Sequence, residues 1–269
     1  MTATSCPTST TGPTLRSLHG KLAILDYGIG GLDIWRRLRS RFPQLDTLYL
    51  SDSGFTPYGQ LDDVTLSARL SALSHELKAR GAQRLIVACN AASSALPSAE
   101  MALPTLGMIE AGLRCVRESG LRRVGVIGGG RTIKAGLYGD ALRAEGFEVT
   151  ERVAQALSIH IEAGDLDSPE LNAHVESICA PLSDREALLL ACTHYPALSP
   201  QLQRHLPHTR LLDPAHTLVR QVERDWALSA ASGQGQSEVF TTGSITKMRR
   251  AASLAFQVSL PAQVGILEI

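Results

Sequence analysis

The segment Leu22-Ala-Ile-Leu-Asp-Tyr-Gly-Ile-Gly-Gly31 decides the fold, because it joins a short apolar run to a glycine-rich turn. A helical pattern follows the turn, with Leu32, Trp35 and Leu38 apolar and arginines between them. An apolar run, a glycine loop and an amphipathic stretch in this order predict a strand, a tight turn and a helix. The segment is therefore typical of an α/β protein.

The same pattern occurs again in the second half of the chain. Val124-Gly-Val-Ile127 leads into the glycines at 128–130 and another helical stretch, 100 positions after the first glycine loop. A further apolar run ends at Cys89 in the first half, and a similar run ends at Cys192, 103 positions later. The nearly equal spacings favour two homologous α/β halves over two unrelated domains.

Apolar strands that alternate with amphipathic helices, such as those expected at 63–81 and 168–181, predict doubly wound parallel sheets covered on both faces. We expect two pseudo-symmetric α/β domains, at residues 21–115 and 116–215, with a segment of about 216–269 returning to the first domain. Residues 1–20 are expected to form a disordered tail, since they are rich in Ser, Thr and Pro. Ligands of such sheets bind beyond the carboxyl ends of the strands, so the active site is expected in the cleft between the domains.

Composition limits the kinds of partner. The 269 residues carry 26 Lys and Arg against 26 Asp and Glu, a formal net charge of zero, and only 4% are aromatic. A neutral chain lacks the field that attracts nucleic acids or anionic membranes, and few aromatic rings are available to stack on bases. No apolar run approaches the roughly 20 residues of a membrane helix, and no signal peptide is recognisable. We predict a cytoplasmic protein that acts on a small molecule, with no nucleic acid or membrane as partner.

The sequence predicts neither a cofactor nor a metal ion. The loop Gly28-Ile-Gly30-Gly31 does not complete a dinucleotide fingerprint, because Asp33 stands where the pattern requires a third glycine. No GK[ST] sequence, as in a phosphate-binding P-loop, follows a glycine loop. None of the four lysines follows a strand as the two cysteines do, which disfavours a pyridoxal Schiff base. His160-Ile-Glu162 resembles the start of a zinc deaminase box, but no Pro-Cys-x-x-Cys follows it.

The five cysteines divide into a matched pair and three others. Cys89 and Cys192 each follow an apolar run and precede polar residues, whereas Cys6, Cys115 and Cys179 lack this setting. An odd number at irregular spacing is a poor disulfide framework. One cysteine after a strand is usually a small core residue, but two at equivalent places in facing halves would point into one cleft from opposite sides.

Two thiols across a cleft suit proton transfer at a carbon atom. One thiolate removes a proton from one face, and the other thiol delivers a proton to the opposite face. His194 lies two residues from Cys192 and favours the thiolate when it is protonated. Asp26 is the candidate proton partner of the other thiol, and polar residues such as Asn90 and Thr193 are placed to stabilise enolate-like charge.

These residues match a family pattern: the chain resembles the cofactor-independent glutamate racemases of the aspartate/glutamate racemase superfamily, over about residues 21–245. The matching segments are Asp26-Tyr-Gly-Ile-Gly-Gly31, Pro57-Tyr58-Gly59, Ala88-Cys89-Asn90-Ala-Ala-Ser93, Glu162-Ala-Gly164 and Ala191-Cys192-Thr193-His194-Tyr195-Pro196. The resemblance implies that Cys89 and Cys192 are the two acid–base residues, assisted by Asp26 and His194. It also implies a homodimer that supplies D-glutamate for peptidoglycan. The substrate-binding residues it implies are Asp26, Tyr27, Tyr58, Gly59, Asn90, Ala91, Thr193 and His194.

Three positions depart from the family pattern. Tyr27 stands in place of a serine, and Ala91 and Gly129 each stand in place of a threonine. Each change removes a hydroxyl that resembling enzymes place near the substrate, and an unmade hydrogen bond costs about 1–3 kcal/mol. The Tyr27 ring either fills part of the pocket or replaces the serine hydroxyl with its own.

Glutamate is therefore the default substrate of an amino-acid racemase, and two alternatives stay open. One is a racemase or decarboxylase of the same superfamily that acts on another amino acid or carboxylate. The other is a non-catalytic binding paralogue, which retention of both cysteines and His194 disfavours.

Overall fold

The structure is a computed structural model that describes residues 20–228 and 233–269. The described residues form two parallel β-sheets flanked by helices, which confirms the predicted α/β class. The tail predicted at 1–20 lies outside the described residues except for Gly20, and Cys6 lies outside them as well.

The described strands and helices alternate along most of the chain. The strands are β1 (Lys21–Asp26), β2 (Thr47–Ser51), β3 (Ala82–Val87), β4 (Thr105–Gly107), β5 (Arg123–Gly128), β6 (Glu148–Val153), β7 (Ala187–Ala191), β8 (Arg210–Leu212), β9 (Ser237–Thr241) and β10 (Gly265–Ile266). The α-helices are α1 (Leu32–Arg41), α2 (Asp63–Ala79), α3 (Asn90–Ser93), α4 (Met108–Ser119), α5 (Gly130–Lys134), α6 (Gly139–Ala144), α7 (Gln155–Ala163), α8 (Pro169–Cys179), α9 (Ser199–His205), α10 (Pro214–Asp225) and α11 (Ile245–Phe256).

Side-chain caps start several of these helices where the sequence supplies an acceptor. Asp62 accepts the N–H of Thr65 at the start of α2, and Ser168 accepts that of Leu171 at the start of α8. Left-handed Gly164 follows the last residue of α7. Glycine suits this position because it carries no Cβ to clash with the backbone.

The strands form a six-stranded sheet in the order β10-β9-β2-β1-β3-β4 and a four-stranded sheet in the order β6-β5-β7-β8. Every adjacent pair is parallel. In the register, Asp26 lies beside Ser51, and Gly128 lies beside Ala191. Because all strands of a sheet run the same way, the segments after β1 and β3 meet at one edge, and those after β5 and β7 meet at another.

Successive side chains of strand β1 point to opposite faces of the first sheet, and both faces are covered. Leu22 and Ile24 of β1 pack into one cluster of buried side chains, whereas Ala23 and Leu25 pack into another. The second sheet divides its side chains in the same way, with Val124 and Val126 on one face. This two-sided burial explains why the strands are continuous apolar runs.

Strand β9, in the C-terminal part of the chain, pairs with β2, so the first sheet contains strands from both ends of the described chain. We propose on this arrangement the domain boundaries given above, with residues 21–115 and about 216–269 in one domain and 116–215 in the other. Among the described helices, none combines the length and the apolar composition that crossing a membrane requires.

Candidate active site

A cavity of about 480 Å³ lies where the carboxyl ends of the two sheets meet. Nine of the ten residues predicted for the site line it: Tyr27, Tyr58, Gly59, Cys89, Asn90, Ala91, Cys192, Thr193 and His194. The tenth, Asp26, is fully buried beneath the cavity. The structure therefore brings together, from both halves, the side chains that the sequence places at strand ends.

The glycine loop after β1 lies directly against residues of the second half. A Cβ added to Gly28 would lie 1.7 Å from Oε1 of Glu162, and one added to Gly30 would lie 2.4 Å from Oγ1 of Thr193. Neither glycine has a positive φ, so close approach accounts for both residues. Glycine here lets the backbone of one half touch side chains of the other.

Asp26 holds this loop in place from below. Its carboxylate accepts the backbone N–H groups of Tyr27, at 2.8 Å, and of Gly31, at 2.7 Å. Burial raises the pKa of Asp26, and the nearby charge of His194 opposes that rise. Among the described residues no hydrogen bond joins Asp26 to Cys89, so the carboxylate acts on that thiol through its charge.

Cys89 immediately precedes α3 and is 9% exposed. Burial, and next the charge of Asp26, raise the pKa of its thiol well above the ordinary value, which favours the protonated form. Its neighbour Asn90 is also buried, with Oδ1 accepting the hydroxyl of Tyr138 at 2.6 Å. The Nδ2 group of Asn90 is buried and has no partner among the described residues, and the residue itself lines the cavity.

Cys192 belongs to a chain of three side chains at the other end of the cavity. Its Sγ lies 3.6 Å from Nδ1 of His194, and Nε2 of His194 lies 2.5 Å from Oε1 of Glu162. The same carboxylate oxygen accepts the N–H of Ile29 from the glycine loop, at 2.8 Å. The imidazole is thus oriented by a carboxylate on one side and faces a thiol on the other.

This chain favours a charged pair behind Cys192. Burial lowers the pKa of His194, but hydrogen bonds to Cys192 and Glu162 outweigh it and hold that pKa well above the ordinary value. For Glu162, burial raises the pKa, but hydrogen bonding and attraction to His194 bring it below the ordinary value. An imidazolium–carboxylate pair can hold or return the proton that the thiol exchanges.

A buried ion pair positions the aromatic wall of the cavity. Asp52 accepts the hydroxyl of Tyr58 at 2.7 Å and is paired with Arg69, also at 2.7 Å. The ring of Tyr27 is tilted against that of Tyr58, with centroids 5.2 Å apart, and its hydroxyl donates to the carbonyl of Phe55 at 3.5 Å. The ring of Tyr27 thus lines the cavity, while its hydroxyl is directed at the backbone.

Arg131 connects the second half to the first across the cavity. Its guanidinium donates to the carbonyl of Leu61 at 2.8 Å and to that of Ala91 at 3.3 Å, and it forms an ion pair with Asp63. The side chain of Arg131 is only 11% exposed. It therefore holds the loop that carries Ala91 in a defined position.

Several lining residues were not predicted as site residues, and Glu162 and Arg131 are the most informative. Glu162 occurs in one of the segments that match the family pattern, so the sequence did carry a signal for it. Arg131 follows the second glycine loop and carried no signal of its own. The remaining lining residues that were not predicted include Pro57, Gln60, Thr132, Gln155 and Ser158.

No lysine or complete metal-ligating group is found among the described residues lining the cavity; the cluster of three metal-ligating side chains in the described chain lies elsewhere. The four described cysteines are free thiols. Cys179 is buried in the core, and Cys115 lies on α4 outside the cavity. The cavity thus contains two thiols, each beside a different titratable group.

Comparison with known proteins identifies a family for this arrangement. Residues 36–222 match the family model described as Asp/Glu/Hydantoin racemase. A glutamate racemase from Roseiflexus sp. is 34% identical over 89% of this chain and 92% of its own. One from Aquifex aeolicus is 30% identical over 87% of this chain and 93% of its own. The crystal structure of a glutamate racemase from Thermus thermophilus, in complex with β-chloro-D-alanine, superimposes with a TM-score of 0.80 at 26% identity, over 94% of this chain and 98% of that one.

Proposed function

The chain belongs to the Asp/Glu/hydantoin racemase family and is an amino-acid racemase, and from this premise we propose that it interconverts L- and D-glutamate with two cysteines and no cofactor. One observation carries the proposal: Cys89 and Cys192 line a single cavity, and each lies beside its own titratable group. The names of the relatives support glutamate as the substrate.

The reaction needs a base on one face of Cα and an acid on the other. A thiolate takes the Cα proton, and the electron pair left behind is delocalised into the α-carboxylate as an enolate-like anion. The opposite thiol then gives its proton to Cα, becomes a thiolate, and leaves the inverted amino acid. Atoms and charge balance, because one thiol is consumed and one is formed.

The two thiols differ in a way that suits these roles. Burial and the charge of Asp26 favour the protonated form of Cys89, so this residue is the proton donor in the resting enzyme. Cys192 faces His194, whose imidazolium form stabilises a nearby thiolate. In the reverse reaction the roles exchange: Cys192 donates its proton to Cα and becomes a thiolate. The His194–Glu162 pair then stabilises the negative charge on its sulfur.

The α-carboxylate needs hydrogen-bond donors, because negative charge develops on it when the Cα proton leaves. The unpartnered Nδ2 of Asn90 and the hydroxyl of Thr193 are candidate donors, one from each half. Donors that face the developing negative charge stabilise the transition state more than the ground state. We assign substrate binding to these two residues, together with Tyr58 and Gly59, which also line the cavity.

One alternative substrate class has support in the geometry. The hydroxyl of Tyr27 is directed at the Phe55 carbonyl, and Ala91 offers no hydroxyl, so the cavity has fewer donors for a distal carboxylate than the family pattern supplies. Another amino acid is therefore the second candidate. A homodimer, a cytoplasmic location and a role in peptidoglycan synthesis are proposed from the family resemblance alone.

Incubation in deuterated water tests the function. L- and D-glutamate should each lose the Cα proton signal in NMR spectra and convert to the opposite enantiomer, measured by circular dichroism, whereas a Cys89→Ala variant should not invert either. Cys115→Ala is the matched control, because its thiol lies outside the cavity, and it should behave as the wild type. Inversion of another amino acid with none of glutamate would refute the substrate, and no exchange with any amino acid would refute the reaction.

A further inference from the structure

Helix α7 presents two different faces. Gln155, Ser158, Ile159 and Glu162 line the cavity. Residues at these spacings share one side of a helix, so His160 projects from another side. There it approaches α8, which packs against α7.

His160 meets two side chains of α8 at this contact. One donor atom from each of His160, Glu170 and His174 lies within 4.8 Å of the other two. Glu170 and His174 are four positions apart on α8, which places them on the same face of the helix. Both histidines are half-buried, and the glutamate is exposed. The three residues form what we call the α7–α8 cluster.

A carboxylate orients one of the imidazoles. Nδ1 of His160 lies 2.7 Å from Oδ2 of Asp165, which leaves Nε2 as its remaining ligand atom. Asp165 is itself fixed by the backbone N–H of Ser168 at 3.0 Å. Histidines that bind metals commonly donate their other N–H to a carboxylate in this way. Among the described residues, His174 and Glu170 make no hydrogen bond or ion pair of their own, so their ligand atoms are not already engaged.

We propose that the α7–α8 cluster binds a divalent transition-metal ion of the Zn²⁺ class. Two imidazoles and one carboxylate are a donor set that such ions prefer, with water or another ligand in the fourth position. Bonds of about 2 Å would place the donor atoms roughly 3.4 Å apart around a tetrahedral ion. Because the donor atoms lie within 4.8 Å of one another, each pair must close by at most about 1.4 Å, which a rotamer adjustment of exposed Glu170 and half-buried His174 can supply.

The site would be separate from the catalytic cavity but joined to it through α7. The ion would tie α7 to α8, and α7 carries Glu162, the residue that orients His194. Binding would therefore restrict movement of the helix that positions one half of the proton-transfer machinery. The sequence pattern alone did not indicate this site, because its ligands come from two helices and follow no zinc spacing.

The test is a titration of the metal-free full-length protein with Co²⁺, read from its visible d–d absorption, followed by displacement with Zn²⁺. We expect one saturable site whose spectrum shows no thiolate charge-transfer band. His174→Ala should abolish it, and Asp165→Asn should weaken the affinity about 10- to 100-fold. His208→Ala is the matched control, because His208 is an exposed histidine outside the cluster.

Three results would overturn the proposal. The first is no saturable Co²⁺ absorption in the wild type. The second is a thiolate band, which would place the ion at a cysteine outside the cluster. The third is unchanged binding by His174→Ala in a protein whose circular dichroism spectrum matches that of the wild type.

Discussion

Replacing Glu162 by glutamine tests whether the Cys192–His194–Glu162 chain acts in proton transfer. The carboxylate accepts from His194 and from Ile29 through the same oxygen, so its charge holds both the imidazolium and the glycine loop. Glutamine keeps the size of the side chain and one acceptor but removes the charge. The imidazolium then loses a hydrogen bond to a charged group, which is worth about 1.5–3 kcal/mol.

That free energy sets the expected loss of activity. Since about 1.4 kcal/mol corresponds to a factor of ten, kcat/KM should fall roughly 10- to 150-fold. The assay is racemisation of glutamate in both directions, followed by polarimetry. Glu118→Gln is the control, because Glu118 forms an ion pair with Arg220 at the surface, and it should leave kcat/KM unchanged.

The comparison of kcat/KM requires a folded variant, and urea denaturation shows whether Glu162→Gln is folded. If the kcat/KM of a folded Glu162→Gln enzyme stays within about threefold of the wild type, the Glu162 carboxylate does not act in proton transfer. His194 would then need no carboxylate, and the contact between the halves at Ile29 would be structural only.

Three further predictions concern stability, substrate binding and pH. Arg69→Ala should reduce the free energy of unfolding by about 3–5 kcal/mol, measured by urea denaturation, because it leaves the buried charge of Asp52 without its cationic partner. Ala91→Thr should lower the KM for glutamate about 2- to 10-fold, since a new hydroxyl in the cavity adds a hydrogen bond worth about 0.5–1.5 kcal/mol. Burial lowers the pKa of His194, but its hydrogen bonds to Cys192 and Glu162 raise that pKa well above the ordinary value. Protonated His194 therefore stabilises the fold fully below about pH 6.5, the pKa of an unfolded histidine. This stabilisation is lost as pH rises through the raised pKa of the folded state. A His194→Asn variant should lack that decline in unfolding free energy.

Each of these has a contrasting result. Arg36 is exposed and its partner Asp33 keeps a second ion pair with Arg37, so Arg36→Ala should cost less than about 1 kcal/mol. An equal loss in both arginine variants would contradict the buried-pair argument. A KM that rises in Ala91→Thr would show that the missing hydroxyl is not a binding group. A pH dependence of stability that is the same in His194→Asn and the wild type would place the titrating group elsewhere.

The sequence predicted the fold class and the two thiols for a physical reason. Apolar runs that end in a turn define the carboxyl ends of parallel strands, and those ends meet at one edge of a sheet. Cys89 and Cys192 therefore each lie at the carboxyl edge of their own sheet, and the repeated pattern in the two halves is what predicted that the two edges face one cleft. The tight turn of the glycine loop was predicted from its glycines, and its close approach to Glu162 and Thr193 appears only in the structure.

Other parts of the site depend on contacts that no local pattern encodes. Glu162 lies on a helix 32 positions before His194, and it meets that residue only because α7 packs beside the segment after β7. Arg131 crosses from the second half to carbonyl groups of the first, and backbone acceptors have no sequence signature. The direction of the Tyr27 hydroxyl, which the sequence left open, depends on the position of Phe55.

The central claim is that two thiols act on opposite faces of Cα, and hydrogen exchange by single variants tests it most directly. Cys89→Ser and Cys192→Ser are each incubated with L- and with D-glutamate in deuterated water; NMR follows deuterium incorporation, and circular dichroism follows inversion. We expect that neither variant racemises glutamate, and that each still exchanges the Cα proton of one enantiomer, which differs between the two variants. Racemisation by either folded variant, or exchange of the same enantiomer by both, would contradict it.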